Sequence, residues 1–242
     1  MSDPYYQTAL ATLYLGDARA VLPTLGKGSV DLIATDPPYG VKWRSRLRGE
    51  KFDEMAGDDN SLNVPELLAE AVRALRVNRH VYVFGYSPED LAGPLCLGGV
   101  AELIWDKTQL GPGDLASPYG PSHERITFGV YAPKPSMRRK GYGNLSARLR
   151  KGSVLRVPRL NSQEVKRHPT EKPVALMRQI IESSSMLGEV VLDPFAGSGS
   201  TLVAALISGR KTIGIEVNEQ YAEITVKRLL VAERLAQDIA AL

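Results

Sequence analysis

The chain has 242 residues, 43% apolar and 24% charged, with a net charge of +3; that balance fits one folded core of ordinary size and excludes a disordered chain. No apolar run approaches the ~20 residues of a membrane span, and the polar, acidic first ten residues do not read as a secretory leader. A single cysteine, Cys96, and three histidines offer neither an internal disulfide nor a zinc cluster, so a cytoplasmic protein without a metal is expected.

In chain order, residues 13–15 read as a short strand running into Gly16-Asp17-Ala18, and 30–35 (Val-Asp-Leu-Ile-Ala-Thr) as a stronger one. Residues 64–75 repeat apolar positions at helical spacing, with Pro65 suited to a first turn. A strand is expected at 80–84, a helix at 88–97, and strands at 102–105 and 126–131. Residues 133–167 show no sustained period. A helix follows from about 173 to 186, a strand at 190–192, a helix at 200–207, a strand at 212–215 and a long amphipathic helix from 219 onward. Strands alternating with crossover helices predict an α/β fold, doubly wound about a mostly parallel sheet covered on both faces.

Charge is unevenly distributed. Eleven basic residues, most of them arginine, and one acid, Glu164, fall within 134–167, which leaves that segment at +10 and the rest of the chain at −7. An acidic body carrying one basic insert points to a polyanion held at a defined place; a merely solvated loop is the bland alternative. Arginine favours phosphate.

Two strand ends carry unusual sequences, at the place where doubly wound sheets bind ligands. The first is Asp36-Pro37-Pro38-Tyr39-Gly40. Consecutive prolines fix two φ angles and remove two amide donors, so the loop offers rigid carbonyl acceptors beside a carboxylate and an aromatic ring. Such a set can accept both hydrogens of a planar amino group and stack the ring that bears it. The second is Asp193-Pro194-Phe195-Ala196-Gly197-Ser198-Gly199-Ser200-Thr201, an apolar strand turning through small residues into a helix. Its glycines permit close backbone approach, and amides at a helix start can meet a carboxylate. After the next strand stands Glu216, placed for both hydroxyls of a ribose. The loop lacks the three glycines and the lysine of phosphate-cradling motifs, so a nucleoside cofactor without phosphates fits better.

Taken together, these motifs resemble the β-type amino-group DNA methyltransferases that use S-adenosylmethionine, in which Asp-Pro-Pro-Tyr precedes the glycine motif and the target-recognition segment lies between them. The resemblance runs from Leu13-Tyr14-Leu15-Gly16-Asp17 to Tyr221 and includes His168-Pro169-Thr170-Glu171-Lys172-Pro173 and Ile213-Gly214-Ile215-Glu216. It implies a seven-stranded Rossmann-like sheet, a single domain over 1–242 with a target-recognition insert at 134–167, and double-stranded DNA as partner, leaving a homodimer open. It implies methyl transfer to the exocyclic nitrogen of a flipped-out base by Asp36, Pro37, Pro38 and Tyr39, and, because the first motif residue is Asp rather than Ser, to adenine N6. It further implies a cofactor site in which Asp193, Phe195, Ala196, Gly197, Ser198, Gly199 and Ser200 hold the methionine moiety near Asp36, His168, Thr170 and Lys172. Glu216 and Val217 take the ribose, Asp17 and Ala18 the adenine end. Arg44, Arg46 and Arg48, directly after the catalytic loop, are candidates to grip phosphates, with a solvated face as the alternative, and Arg138, Arg139, Lys140, Arg148, Arg150 and Lys151 are expected to contact DNA from the insert.

Other readings remain at this point. Cytosine N4 is the nearest alternative, and a non-catalytic DNA-binding module that retains the fold is a more distant one. Trp43 either stacks on DNA or packs under its loop, Trp105 is expected in the core, and His80 is expected to have no chemical role.

Overall fold

The structure, a computed structural model, describes residues 3–38, 62–109, 119–137, 151–160 and 171–240. In chain order its elements are β1 (Tyr6–Gln7), β2 (Ala11–Leu15), α1 (Ala18–Val21), a 3-10 turn (Leu22–Thr24), β3 (Val30–Thr35), α2 (Val64–Ala74), β4 (Leu75–Phe84), α3 (Pro88–Leu91), β5 (Leu97–Asp106), β6 (His123–Tyr131), β7 (Val154–Arg156), α4 (Val174–Ser184), β8 (Val190–Asp193), α5 (Ser200–Ile207), β9 (Lys211–Glu216) and α6 (Glu219–Ala240).

The strands make one sheet in the order β1-β2-β9-β8-β3-β4-β6-β5-β7. Neighbours from β2 through β9, β8, β3 and β4 are parallel, β6 runs antiparallel between β4 and β5, and β7 is parallel to β5. All six residues of β3 are buried, which is why this strand reads as an apolar run apart from Asp31 and the closing Thr35. Asp31 escapes an unpaired burial through Arg76, 2.7 Å away, and Arg79 at 3.3 Å. One core layer packs β3 residues Val30 and Ile33 against α1, α2 and α3, while Leu32 and Ala34 pack with α4 and α5 on the other face. A third cluster joins β2 to α5 and α6.

The expected doubly wound, mostly parallel sheet is present, with nine strands among the described residues where seven were expected. The seven central strands carry two short edges, β1 of two residues and β7 of three, too short to leave a period-two signal. Strand β7 lies inside the basic segment, where only Leu155 of its three residues is buried. The helix expected at 88–97 stops at Leu91, ahead of Gly93 and Pro94. Strand β4 begins at Leu75 rather than 80, because Arg76, Asn78 and Arg79 and the positive φ of Asn78 (63°) interrupt the apolar pattern. No helix among the described residues is long and apolar enough to cross a membrane.

The chain leaves β3 for β4 on one side of the sheet and β8 for β9 on the other, through α2 and α5. The carboxyl ends of β3 and β8 therefore flank the point where the winding reverses, and a crevice opens there.

Candidate active site

Asp36-Pro37-Pro38 continues directly from β3. The loop is fixed by a chain of bonds: the Tyr86 hydroxyl donates to the Pro38 carbonyl (2.9 Å), and the Thr127 hydroxyl of β6 donates to the Tyr86 carbonyl (2.7 Å). Across the switch point, the last residue of β3 meets the last of β8, since Thr35 Oγ1 donates to Asp193 (2.7 Å). The same carboxylate receives the Phe195 amide at 3.1 Å. Burial, at 2% exposure, still dominates and pushes the Asp193 carboxyl up to about 7 against these hydrogen bonds, that of Thr201 included.

After Asp193 the chain turns through Gly197 (φ 53°) and Gly199 (φ 83°) into α5. Gly199 is required twice over: its conformation is left-handed, and a Cβ there would stand 2.7 Å from Thr225 Cγ2. Helix α6 braces the loop from behind. Thr225 Oγ1 donates to the Gly197 carbonyl (2.9 Å), and Arg228 Nη1 donates to the Ser198 carbonyl (2.6 Å) while pairing with Glu171 at 2.9 Å. Glu216, at the end of β9, accepts from the Gly197 amide (2.7 Å) with one oxygen and from the Asn218 amide (2.8 Å) with the other. Burial holds its carboxyl above the usual range in spite of those amides. The Val217 amide bonds the carboxylate as well, so the backbone aims it at three points and acceptor capacity remains for a ligand hydroxyl.

The ends of β2 and β9 meet through the Gly16 amide and the Glu216 carbonyl (2.8 Å). Asp17 therefore stands near Glu216, although its side chain caps α1 and pairs with Arg19, which holds the carboxyl below its ordinary value. Ala18 is buried in the core, and Val217 is half exposed.

The Asp36 carboxylate takes part in an ion-pair cluster. Its carboxylate pairs with the Lys172 ammonium, whose Nζ lies 3.2 Å from Glu124 Oε2 of β6 and over the Phe84 ring, 5.2 Å from its centroid. Glu124 Oε1 pairs in turn with Lys107 at 2.7 Å. Burial pushes the Asp36 carboxyl up to about 6, the lysine only partly offsetting it. Burial also disfavours the Lys172 ammonium, but Asp36 and Glu124 outweigh it and raise its pKa. For Glu124 the two lysines outweigh burial in the same way and hold the carboxyl low.

Asp36, Glu171, Lys172, Met177, Asp193, Phe195, Ala196, Gly197, Ser198, Ser200 and Thr201 line a common cleft. Of the residues expected at the site, Asp36, Lys172 and the Asp193–Ser200 loop thus share one cavity. Sequence reasoning missed Glu124, Lys107, Tyr86, Thr225 and Arg228. An acid and a lysine near the ends of adjacent antiparallel strands give no local motif. Tyr39, Trp43, Arg44, Arg46, Arg48, Arg138, Arg139, Lys140, Arg148, Arg150, His168 and Thr170 lie outside the described residues. Lys151 is exposed and donates to the Gln179 carbonyl of α4 (3.3 Å). Trp105 is core, its Nε1 donating to the Val157 carbonyl (2.7 Å), and His80 is buried against Ser184 (2.7 Å).

Residues 30–227 match the family model described as DNA methylase. The chain belongs to this family, the S-adenosylmethionine-dependent DNA amino methyltransferases. It is 31% identical over 258 residues to the DNA adenine methyltransferase YhdJ of Escherichia coli K12, covering 94% of this chain and 85% of that one. It is 30% identical over 245 residues to the type II methyltransferase M.HinfI of Haemophilus influenzae, covering 91% of this chain and 68% of that one. The fold is that of a solved M1.HpyAVI–SAM complex, with a TM-score of 0.65 and 24% identity over 91% of this chain and 99% of that one. The cytosine-N4-specific PvuII DNA methyltransferase has the same fold, with a TM-score of 0.62 and 16% identity over 98% of this chain and 96% of that one. As a DNA methylase the chain takes DNA as its substrate.

Proposed function

We propose that this methylase transfers a methyl group from S-adenosylmethionine to the exocyclic N6 amino group of an adenine flipped out of double-stranded DNA. The observation that carries the reading is the shared cleft: a largely buried carboxylate, Asp36, faces the same cavity as the glycine loop across the switch point of the sheet.

The residues present fit the cofactor. Glu216 is an acceptor pair for ribose hydroxyls, pre-aimed by backbone amides. The loop from Phe195 to Ser200 brings small residues and backbone to the cavity, and Asp193 and Asp36 add negative charge beside a cationic ligand. When bound, S-adenosylmethionine supplies an electrophilic methyl on a sulfonium. The protein's own task is to make a poor nucleophile competent, because the amino lone pair is delocalised into the base. The Asp36 carboxylate and the Pro37 carbonyl accept its two hydrogens, favour a pyramidal nitrogen and so free the lone pair for attack. Asp36 then faces the positive charge that develops on that nitrogen before its proton is lost. Fixing the acceptors in advance is where the acceleration arises, and the Tyr86–Pro38 bond does so for the loop. A base inside a duplex cannot reach this cleft, so it is extruded, with Tyr39 assigned to stack on it. Arg44, Arg46 and the basic residues of 134–167 are assigned to phosphates.

Adenine rather than cytosine rests on Asp36 as the first motif residue and on the adenine methyltransferase named among the relatives. The test is to incubate duplex DNA with the protein and methyl-labelled S-adenosylmethionine, digest to nucleosides and identify the labelled product. N6-methyladenine is expected. N4-methylcytosine would overturn the base assignment, and no labelled nucleoside would overturn the activity.

A further inference from the structure

We propose that Lys172 is a displaceable occupant of the amino-group site, and that Glu124 is a positioning residue which draws it off Asp36 when the target base enters. The inference rests on the proposed function and extends it to a residue on β6 that no motif marks. An ammonium presents N–H donors to a carboxylate as an amino group does, so in the free protein Lys172 satisfies the acceptor that the substrate later needs. Acceptance from a neutral amine is weakened while a full positive charge remains on the same carboxylate, since the acceptor's strength lies in its own charge.

The geometry supplies a second seat. Glu124 Oε2 is already 3.2 Å from Nζ, so the ammonium passes from one carboxylate to the other without ever being unpaired. Lys107 holds the opposite oxygen of Glu124 at 2.7 Å and keeps Oε2 turned toward Lys172. The Phe84 ring face lies beneath the moving charge. Lysine suits this role because its charge is a compact point on a flexible stem, where a forked guanidinium would lock to one partner.

The groups facing Asp36 are Lys172 ahead of α4, Glu124 of β6, Lys107 after β5 and Asp193 of β8; Glu171, which pairs with Arg228 of α6, lines the same cleft. Replacing Glu124 by Gln removes a negative neighbour, so the Asp36 titration moves down from about 6. Lys172→Gln removes a positive one, so the titration moves up.

The experiment measures single-turnover methyl transfer across pH and the titration of the Asp36 carboxyl by ¹³C NMR, for wild type, Glu124→Gln, Glu124→Asp, Lys172→Gln and the double variant Glu124→Gln/Lys172→Gln. In Glu124→Gln the transfer rate is expected to fall about 10- to 100-fold, while the Kd for S-adenosylmethionine stays within about twofold of wild type. Glu124→Asp restores part of the rate. In the Lys172→Gln background, Glu124→Gln adds no more than about a twofold loss, because there is no ammonium left to draw away. Wild-type transfer in Glu124→Gln, or rate losses that simply multiply in the double variant, would overturn the proposal while leaving the methyltransferase reading intact. Absence of transfer in the wild type would instead remove the methyltransferase reading. The carboxyl titration still decides the triad in that event: opposite shifts in the two single variants support it, and an unmoved titration rejects it.

Discussion

The two halves of the site hold their carboxylates differently. At the cofactor end, Asp193 and Glu216 are surrounded by neutral donors, two hydroxyls and an amide for the one and backbone amides for the other. At the reaction end, Asp36 is held by a lysine that is itself shared with Glu124. Burial is the largest cause for Asp193 and its hydrogen bonds only partly offset it, so the carboxyl rises to about 7. Burial is likewise the largest cause for Asp36, with Lys172 offsetting part of it and Glu124 adding to it, and the carboxyl rises to about 6. A scaffold of backbone and hydroxyl bonds suits a surface that must present one shape to one ligand. An ion pair on a flexible stem suits a group that must exchange partners within each turnover.

Removing the carboxylate at each end tests that division. At the reaction end, Asp36→Ala is expected to lower the transfer rate at least about a hundredfold, some 2.7 kcal/mol, while leaving cofactor affinity largely intact. Radiolabel transfer and calorimetry on the same preparation check both halves, and a variant that keeps more than a tenth of wild-type turnover removes Asp36 from the reaction. At the cofactor end, Glu216→Ala should cost about 2–3 kcal/mol of S-adenosylmethionine affinity, since it deletes charged acceptors and also frees the Gly197 amide. Calorimetry returning a wild-type Kd would withdraw the ribose assignment.

The cofactor end was far more legible in sequence than the reaction end. Its determinants are contiguous: Asp193 to Thr201 is a strand, a tight turn and a helix start in one stretch, and Glu216 closes the following strand. Strand β3 and helix α5 were readable residue by residue, because a fully buried strand and a short apolar helix are dense signals. The partners of Asp36 come from far along the chain, Lys172 at a separation of 136 residues. Glu124 pairs with Lys172 only because β6 inserts antiparallel beside β4. Such pairings follow from strand order, which no local period encodes. Arg228 and Thr225 read as ordinary positions of an amphipathic helix until the loop they brace is placed against them.

The raised Asp193 carboxyl ties stability to pH. Asp193 binds its proton more tightly folded than unfolded, with a value near 7 against an ordinary 3.8. Its contribution to stability therefore declines as pH rises from about 4 to about 7, and is constant above that. Asp193→Asn keeps a carbonyl acceptor for Thr35 and Phe195 and cannot ionise. The variant should be more stable than wild type at pH 8 by on the order of 1–3 kcal/mol, with the gap closing by pH 4. Thermal melts of both proteins at pH 4, 6 and 8 measure it. A gap that stays constant across that range would mean that Asp193 is not a titrating, desolvated acid.

The smallest expected effect concerns how firmly the reaction end is fixed. Asp36 can exchange partners only if the backbone that carries it does not move with the lysine, and the structure provides one specific restraint. The Tyr86 hydroxyl donates to the Pro38 carbonyl at 2.9 Å, and Tyr86 is itself held by Thr127 of β6 at 2.7 Å. The prolines of the loop have no amide hydrogens of their own to anchor it, so the anchor has to come from a neighbouring side chain. Tyr86→Phe keeps the ring and loses one neutral hydrogen bond, about 0.5–1.5 kcal/mol. If that bond serves to hold the acceptors in place for the transition state, the loss falls on kcat, by about two- to tenfold, with cofactor affinity and KM for DNA nearly unchanged. If the bond merely stabilises the fold, the melting temperature drops while kcat stays at its wild-type value. Steady-state kinetics and a melt on Tyr86→Phe therefore tell a loop fixed for chemistry from a loop that is simply packed.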